Sequence, residues 1–236
     1  MTDRAIQNSE ENGPAIPALS RQRLGDQVAE VLRHQIILGD MEPGRAIHER
    51  ETADALGVSR TPLREALFIL EAEGLVIMAP ARTPIVANPS LDDLTQLLLV
   101  QSALEALAGE GACDVMTAAQ YSHIERLHDN LLATFDSGDP LEVFKIDMAF
   151  HEAIVAAAGN QPLIKLHKQY NARLWRARYM SSSKRINRTK TLSDHTNIVD
   201  ALRVRDGEQA SNHLKLHLRN AIKNITIIFN QNSDEQ

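Results

Sequence analysis

The chain has 236 residues, a formal net charge of −6 and one cysteine, Cys113. A single cysteine excludes an internal disulfide framework and fits a reducing cytoplasm. The acidic balance excludes a general nucleic-acid coat, though not a DNA reader with a local basic face. Apolar residues make up 43% and aromatics only 4%, which predicts a core of Leu, Ile, Val and Ala carried on helices. The opening stretch, residues 1–19, is polar, contains Asn12-Gly13-Pro14 and has no apolar run of signal-peptide length. It reads as a flexible arm. Nothing later reaches membrane-spanning length, so a soluble cytoplasmic protein with no membrane partner is expected.

Residues 20–88 read as one unit. Leu24, Val28, Val31, Leu32 and Ile36 form a helical stripe from about Arg21 to Leu38, stopped by Gly39. A turn at Asp40–Gly44 leads into a second helix over Glu49–Leu56, closed by Gly57. A third starts at Ser59 or Thr61, tolerates Pro62 in its first turn, buries Leu63, Ala66, Leu67 and Leu70 and stops at Gly74. Leu75–Met78 and Ile85–Ala87 read as two short strands around a loop holding Arg82, Thr83 and Pro84. Helix, helix, short turn, helix and hairpin is the order of a winged helix-turn-helix. The unit is not net basic, with eight Arg against ten acidic residues. Its positive charge is instead clustered at the front of the third helix, which enters the major groove by that end. Ser59, Arg60, Thr61 and Arg64 are the outward positions there, and Arg82 is the wing contact.

Asn88-Pro89-Ser90 marks a boundary, and residues 90–231 read as helix throughout. Ser90 caps a helix carrying Leu94, Leu97, Leu98, Ala103, Leu104 and Leu107. Further helices cover about 118–135, 140–158, 162–179, 190–204 and 208–229, with a polar loop from Ser181 to Lys190. The predicted fold is therefore mainly α, a winged helix-turn-helix with a small β hairpin followed by an all-helical bundle.

The run Val58-Ser59-Arg60-Thr61-Pro62-Leu63-Arg64-Glu65-Ala66-Leu67, followed by Leu70 and Glu73-Gly74-Leu75-Val76, resembles the GntR family of bacterial regulators. Asp147-Met148-Ala149-Phe150-His151, Ala158-Gly159-Asn160, His195 and His217 resemble the ligand-sensing FCD domain of its FadR-like branch. The resemblance implies a homodimer on a palindromic operator and a helical effector domain, often metal-bound, whose small-molecule ligand changes DNA affinity. An organic acid is the family-level expectation for that ligand. It places Arg50, Arg60, Arg64 and the wing at DNA, although Arg50 is also spaced to pair with Asp54. Two positions depart from the family pattern. Thr83-Pro84 stands where wings usually carry a glycine, and Gln101 stands three residues before Leu104-Glu105 where relatives often have an arginine. An amide hydrogen-bonds a carboxylate but cannot pair with it as a cation.

Asp147 and His151, four apart on one helix, share a face. With His195 and His217 they form one carboxylate and three imidazoles from three helices, a set that suits one divalent transition metal: Zn, with Ni, Mn or Fe compatible. His213 competes with His217 for its face. His34, His48, His123, His128 and His167 read as structural or exposed. Trp175, Arg178, Gln101 and Asn160 are candidate ligand contacts, against readings of Trp175 as core, Arg176 as surface and Asn160 as a helix cap. The regulator reading has two competitors: a purely structural metal, and a metal-dependent hydrolase. The second lacks a placed general base such as the glutamate of H-E-x-x-H, and the chain is read as no enzyme.

Overall fold

A computed structural model describes residues 23–80, 82–184 and 187–233. The expected arm and the helix start at Arg21 lie outside the described residues. The head is α1 (Leu24–Leu38), α2 (Glu49–Leu56), α3 (Arg60–Ala72) and a hairpin of β1 (Val76–Ile77) and β2 (Ile85–Val86). Val76 pairs with Val86 and Ile77 with Ile85 in an antiparallel register. The strands are shorter than the sequence suggests, but the sheet gains an unforeseen edge. Ala46 bridges Ile85, the Ile47 N–H donates to the Pro84 carbonyl at 2.7 Å, and the Val86 N–H donates to Arg45 at 2.9 Å. Pro84 has no N–H to offer, so it joins this edge through its carbonyl only, beside the bonds that Val86 makes to Arg45 and Gly44.

One apolar cluster holds the head, with Val28, Leu32 and Ile36 of α1 against Leu63, Ala66, Leu67 and Leu70 of α3. Leu24 and Val31, expected in the stripe of α1, are 51% and 44% exposed. The left-handed Gly57 (φ 67°) closes α2 and lets the chain turn at once into α3.

Ser90 and Asp93 form a reciprocal capping box that starts α4 (Leu91–Val115). The rest of the chain is α5 (Ala118–Thr134), α6 (Pro140–Ala157), α7 (Gln161–Ser183), α8 (Arg188–Arg203) and α9 (Gly207–Ser233). Asp139 and Asn160 cap α6 and α7 with their side chains. The polar loop expected from Ser181 to Lys190 is shorter. Ser181 is buried, so α7 continues through Ser183, and α8 begins at Arg188.

The inward face of α4 differs from the apolar reading. Leu107 is 54% exposed, whereas Gln101, Ser102 and Glu105 point inward beside Leu94 and Leu98. α9 runs antiparallel against α4, with Leu98 near Ile225 and Gly109 beside Ala210 and Leu214. A Cβ at Gly109 would fall 2.4 Å from Leu214 Cδ1, so the glycine sets how closely the two longest helices approach. Among the described residues no helix is long and apolar enough to cross a membrane.

Candidate metal centre and DNA-reading helix

His151 on α6, His195 on α8 and His217 on α9 meet in the middle of the helical domain. One ring nitrogen from each lies within 4.8 Å of the others, and all three rings are buried. Ring centroids are 4.4 Å apart for His195 and His217, 5.0 Å for His151 and His217, and 5.4 Å for His151 and His195. Phe150, beside His151 in sequence, sets its ring edge-on to His195 and walls the group off with hydrocarbon. Asp147 lies one turn before His151, its Oδ1 2.9 Å from Nε2 of His195 and 3.8 Å from Nε2 of His151. The four residues named from the sequence thus converge. His213, the competitor for the face of His217, is not in the group.

The donor set fits a cation. Nδ1 of His195 lies 2.9 Å from the Thr191 carbonyl, a contact that requires a proton on Nδ1. Nε2 then faces Asp147 Oδ1 as acceptor against acceptor unless a proton, as in the charged ring of the metal-free centre, or a cation stands between them. Asp147 Oδ1, both nitrogens of His151, Nε2 of His195 and Nδ1 of His217 are all buried without a hydrogen bond. Buried polar atoms are rarely left so; a divalent ion bound by Asp147 Oδ1, Nε2 of His151, Nε2 of His195 and Nδ1 of His217 would satisfy those four together, leaving Nδ1 of His151 to Glu105. His167 and His128 are elsewhere, with His128 facing Thr196 at 3.2 Å.

Behind the histidines stands Glu105 of α4, 1% exposed. Its Oε2 is 2.7 Å from Nδ1 of His151. Its Oε1 accepts from Gln101 at 3.2 Å, faces His167 Nε2 at 3.2 Å, and lies 3.6 Å from Arg178. The carboxylate orients His151 so that Nε2 faces the other rings, the carboxylate–imidazole arrangement of metal sites. Sequence reasoning named Gln101 and Arg178 but treated Glu105 only as a landmark and His167 as unconnected. A charged residue four after Gln101 on the inward face of an apolar helix was the available signal. Asp194, one residue before His195, accepts from Asn220 at 2.6 Å and lies 3.9 Å from His217 Nδ1.

Arg178 lines a cavity of about 50 Å³ with Asp147, Ser181, Thr191, His217 and Asn220. Trp175 and Asn160 do not reach it. Trp175 packs edge-on against Phe144 (5.1 Å) and lines a cleft toward α1. Asn160 is exposed and accepts from the Leu163 N–H at 3.1 Å as a cap. Arg176 is no free surface residue, since it donates to the Ile36 carbonyl of the head at 2.7 Å.

In the head, Ser59, Arg60, Thr61, Arg64 and Arg82 are all exposed. Ser59 is the N-cap residue of α3 but makes no side-chain cap bond, so its side chain leaves the Arg60 and Thr61 N–H groups of the first turn uncapped, and Pro62 has none to cap. Arg64 donates to Glu49 at 2.7 Å, which holds its guanidinium beside α2. Arg50 and Asp54 stand 4.0 Å apart and both are largely exposed.

A winged head joined to a helical body with a buried three-histidine centre defines a two-domain DNA-binding regulator. Residues 24–83 match the model described as bacterial regulatory proteins, gntR family, and residues 96–220 match the FCD domain. The chain is 27% identical over 214 residues to the HTH-type transcriptional repressor RspR of Escherichia coli, covering 90% of this chain and 93% of that one. A crystal structure of a putative GntR transcriptional regulator from a Rhodococcus matches with TM-score 0.70 and 26% identity, over 86% of this chain and 97% of that one. Escherichia coli McbR/YncC matches in fold with TM-score 0.74 and 24% identity, over 89% and 99%. The chain belongs to the GntR family of bacterial regulatory proteins and carries an FCD domain. It is a transcriptional regulator, and the hydrolase reading falls with that assignment.

Protonation of the centre gives a test. Burial pushes the His151 imidazole down, and burial with the charges of His195 and His151 pushes His217 well below the ordinary value. Burial opposes ionisation of Glu105 and Asp147. Facing His151 overcomes it for Glu105, and facing His195 does so for Asp147, so both carboxyls sit below their usual range. All four groups have folded values below their unfolded ones, so the unfolded chain binds more protons and stability falls as pH falls. Metal-free protein is expected to keep its melting temperature down to about pH 6.5 and lose it steadily below, first through histidine and then through carboxylate protonation. A melting temperature unchanged between pH 7 and pH 4 would contradict this.

Proposed function

We propose that this regulator's operator affinity is controlled by a small organic acid bound at or beside one divalent transition metal, held by Asp147, His151, His195 and His217. The observation that carries the reading is the buried set of unpaired ring nitrogens and carboxylate oxygen converging from three helices. Zinc suits the nitrogen and oxygen donors, as do nickel, manganese and iron. The metal, when bound, would supply Lewis-acid attraction for carboxylate oxygens. Arg178 and Gln101 would add a guanidinium and an amide, Arg178 from the cavity wall. The cavity of about 50 Å³ holds little more than a water, below the 300–1,000 Å³ usual for small-molecule sites. Effector binding must therefore open it. Ligand-driven opening is how a site inside the body would act on a distant head, by favouring one arrangement over another. A purely structural metal predicts instead that no small molecule alters DNA binding.

Residues 20–88 form the DNA-binding unit in this reading and residues 90–231 the sensing unit. Arg60 and Arg64 read bases or phosphates from the front of α3, Ser59 and Thr61 lie beside them, and Arg50 and Arg82 flank. A homodimer on a palindromic operator belongs to the same reading. The exposed Leu99, Val100 and Leu107 on the outer side of α4 supply apolar surface of the kind subunits cover.

Two measurements test this. Arg60→Ala and Arg64→Ala are each expected to weaken specific operator binding at least about tenfold, at unchanged melting temperature. The parent's affinity should fall steeply with salt as counterions are released. Operator affinity equal to the parent's in both variants would refute the DNA assignment. Elemental analysis should find about one transition metal per chain, lost in His217→Ala. Glu105→Gln should weaken metal affinity about 10–100-fold through the misdirected His151 ring. Metal held equally by parent and His217→Ala would refute the site.

A further inference from the structure

α7 lines more than one cavity besides the cleft of Trp175. Arg178 and Ser181 look into the metal cavity, whereas Arg173, Arg176, Ala177 and Met180, spaced i, i+3, i+4 and i+7, look into a separate cleft. This cleft lies where the head meets the helical body, beside the connecting segment Asn88–Leu91, and has a volume of about 800 Å³. That is within the range of small-molecule sites. Its body-side wall is apolar, made by Leu91, Leu94, Met180 and Phe229.

The two arginines are short of partners. Arg173 lies over Gly74, where a Cβ would fall 2.5 Å from its Nε. It makes no hydrogen bond or ion pair with any described residue. The carboxylate that feels its charge, Asp93, is already bonded to Ser90. Arg176 gives one N–H to the Ile36 carbonyl, and Glu42, which lines the same cleft, acts on it through charge without a hydrogen bond or ion pair. Each guanidinium carries five donors, so most of this donor capacity has no partner among the described residues, and both side chains line the cleft. A chain with 31 acidic residues against 25 basic ones has placed two cations, without a bonded carboxylate, beside an apolar wall.

We propose that this cleft is a second ligand site, for a small organic anion with an apolar body. Its acidic group lies on Arg173 and Arg176, and its hydrocarbon on Leu94, Met180 and Phe229. The site needs no metal. An occupant touches Ile36 and Leu75 of the head as well as α7 and so bears on the joint between the two units.

The experiment is a fluorescence titration of the full chain with anilinonaphthalene sulfonate, an aromatic anion, as purified and after chelation. Saturable binding of one probe per chain is expected in both states. Octanoate should displace it, and acetate, which lacks the apolar body, should not at equal concentration. Arg173→Ala, which breaks no bond of the fold, should weaken probe binding at least about fivefold by removing one charge-assisted contact. Arg176→Ala should do so as well, and His217→Ala should not. Undiminished binding in Arg173→Ala overturns the proposal, as does the absence of saturable binding or of octanoate displacement. Loss in His217→Ala with the arginine variants unaffected would put the probe in the metal cavity and overturn it too. None of these results decides whether a metal is bound, so failure of this proposal leaves the metal reading standing.

Discussion

Moving a carboxylate out of water costs several kcal/mol unless opposite charges and hydrogen bonds replace the solvent, and Glu105 sits 1% exposed in the middle of a helical bundle. Its compensation comes from three helices: Gln101 on its own, His151 on α6, and His167 with Arg178 on α7. The helices around the centre are therefore fixed relative to one another by a polar knot as well as by apolar contact. Removing one member would leave the others buried and unpaired, which costs more than the bond itself is worth. The knot also ends on the ring that must present Nε2 to His195 and His217. Packing of the domain and geometry of the centre are the same constraint.

α7 extends that constraint to the head. Arg178 and His167 attach it to Glu105, and two residues earlier Arg176 holds the last turn of α1 through the Ile36 carbonyl. α1 in turn packs directly on α3 through Val28, Leu32 and Ile36. A rearrangement around Arg178 thus has a short mechanical route to α3, through two rigid elements and one hydrogen bond. Coupling of this kind needs an element with two arrangements that both sites bias, and α7 is the element that joins the wall of the metal cavity to α1.

Much of this was legible in the sequence, for physical reasons. Leu63, Ala66, Leu67 and Leu70 recur at helical spacing with glycine stops on either side, so α3 and its buried face follow from periodicity. Asp147 and His151 share a face because four residues make about one turn. What brings His195 and His217 to them is tertiary packing of α8 and α9, which local spacing does not encode; there the family resemblance carried the reading. Periodicity failed on α4. Leu107 counted as core because it is apolar, yet it faces outward, and Gln101 and Glu105 counted as polar although they face inward. A pattern that assigns burial by hydrophobicity cannot find the residues buried for their charge. Arg176 was misplaced for a related reason, since the carbonyl it binds belongs to the head.

The claim on which this account rests is that the three imidazoles and Asp147 bind one metal. X-ray absorption at the metal edge of the zinc-loaded chain reads the donors directly. The account predicts a low-coordinate shell of nitrogen and oxygen at about 2.0–2.2 Å, with outer-shell scattering from three imidazole rings. A shell containing sulfur from Cys113, or oxygen alone without ring scattering, would contradict it.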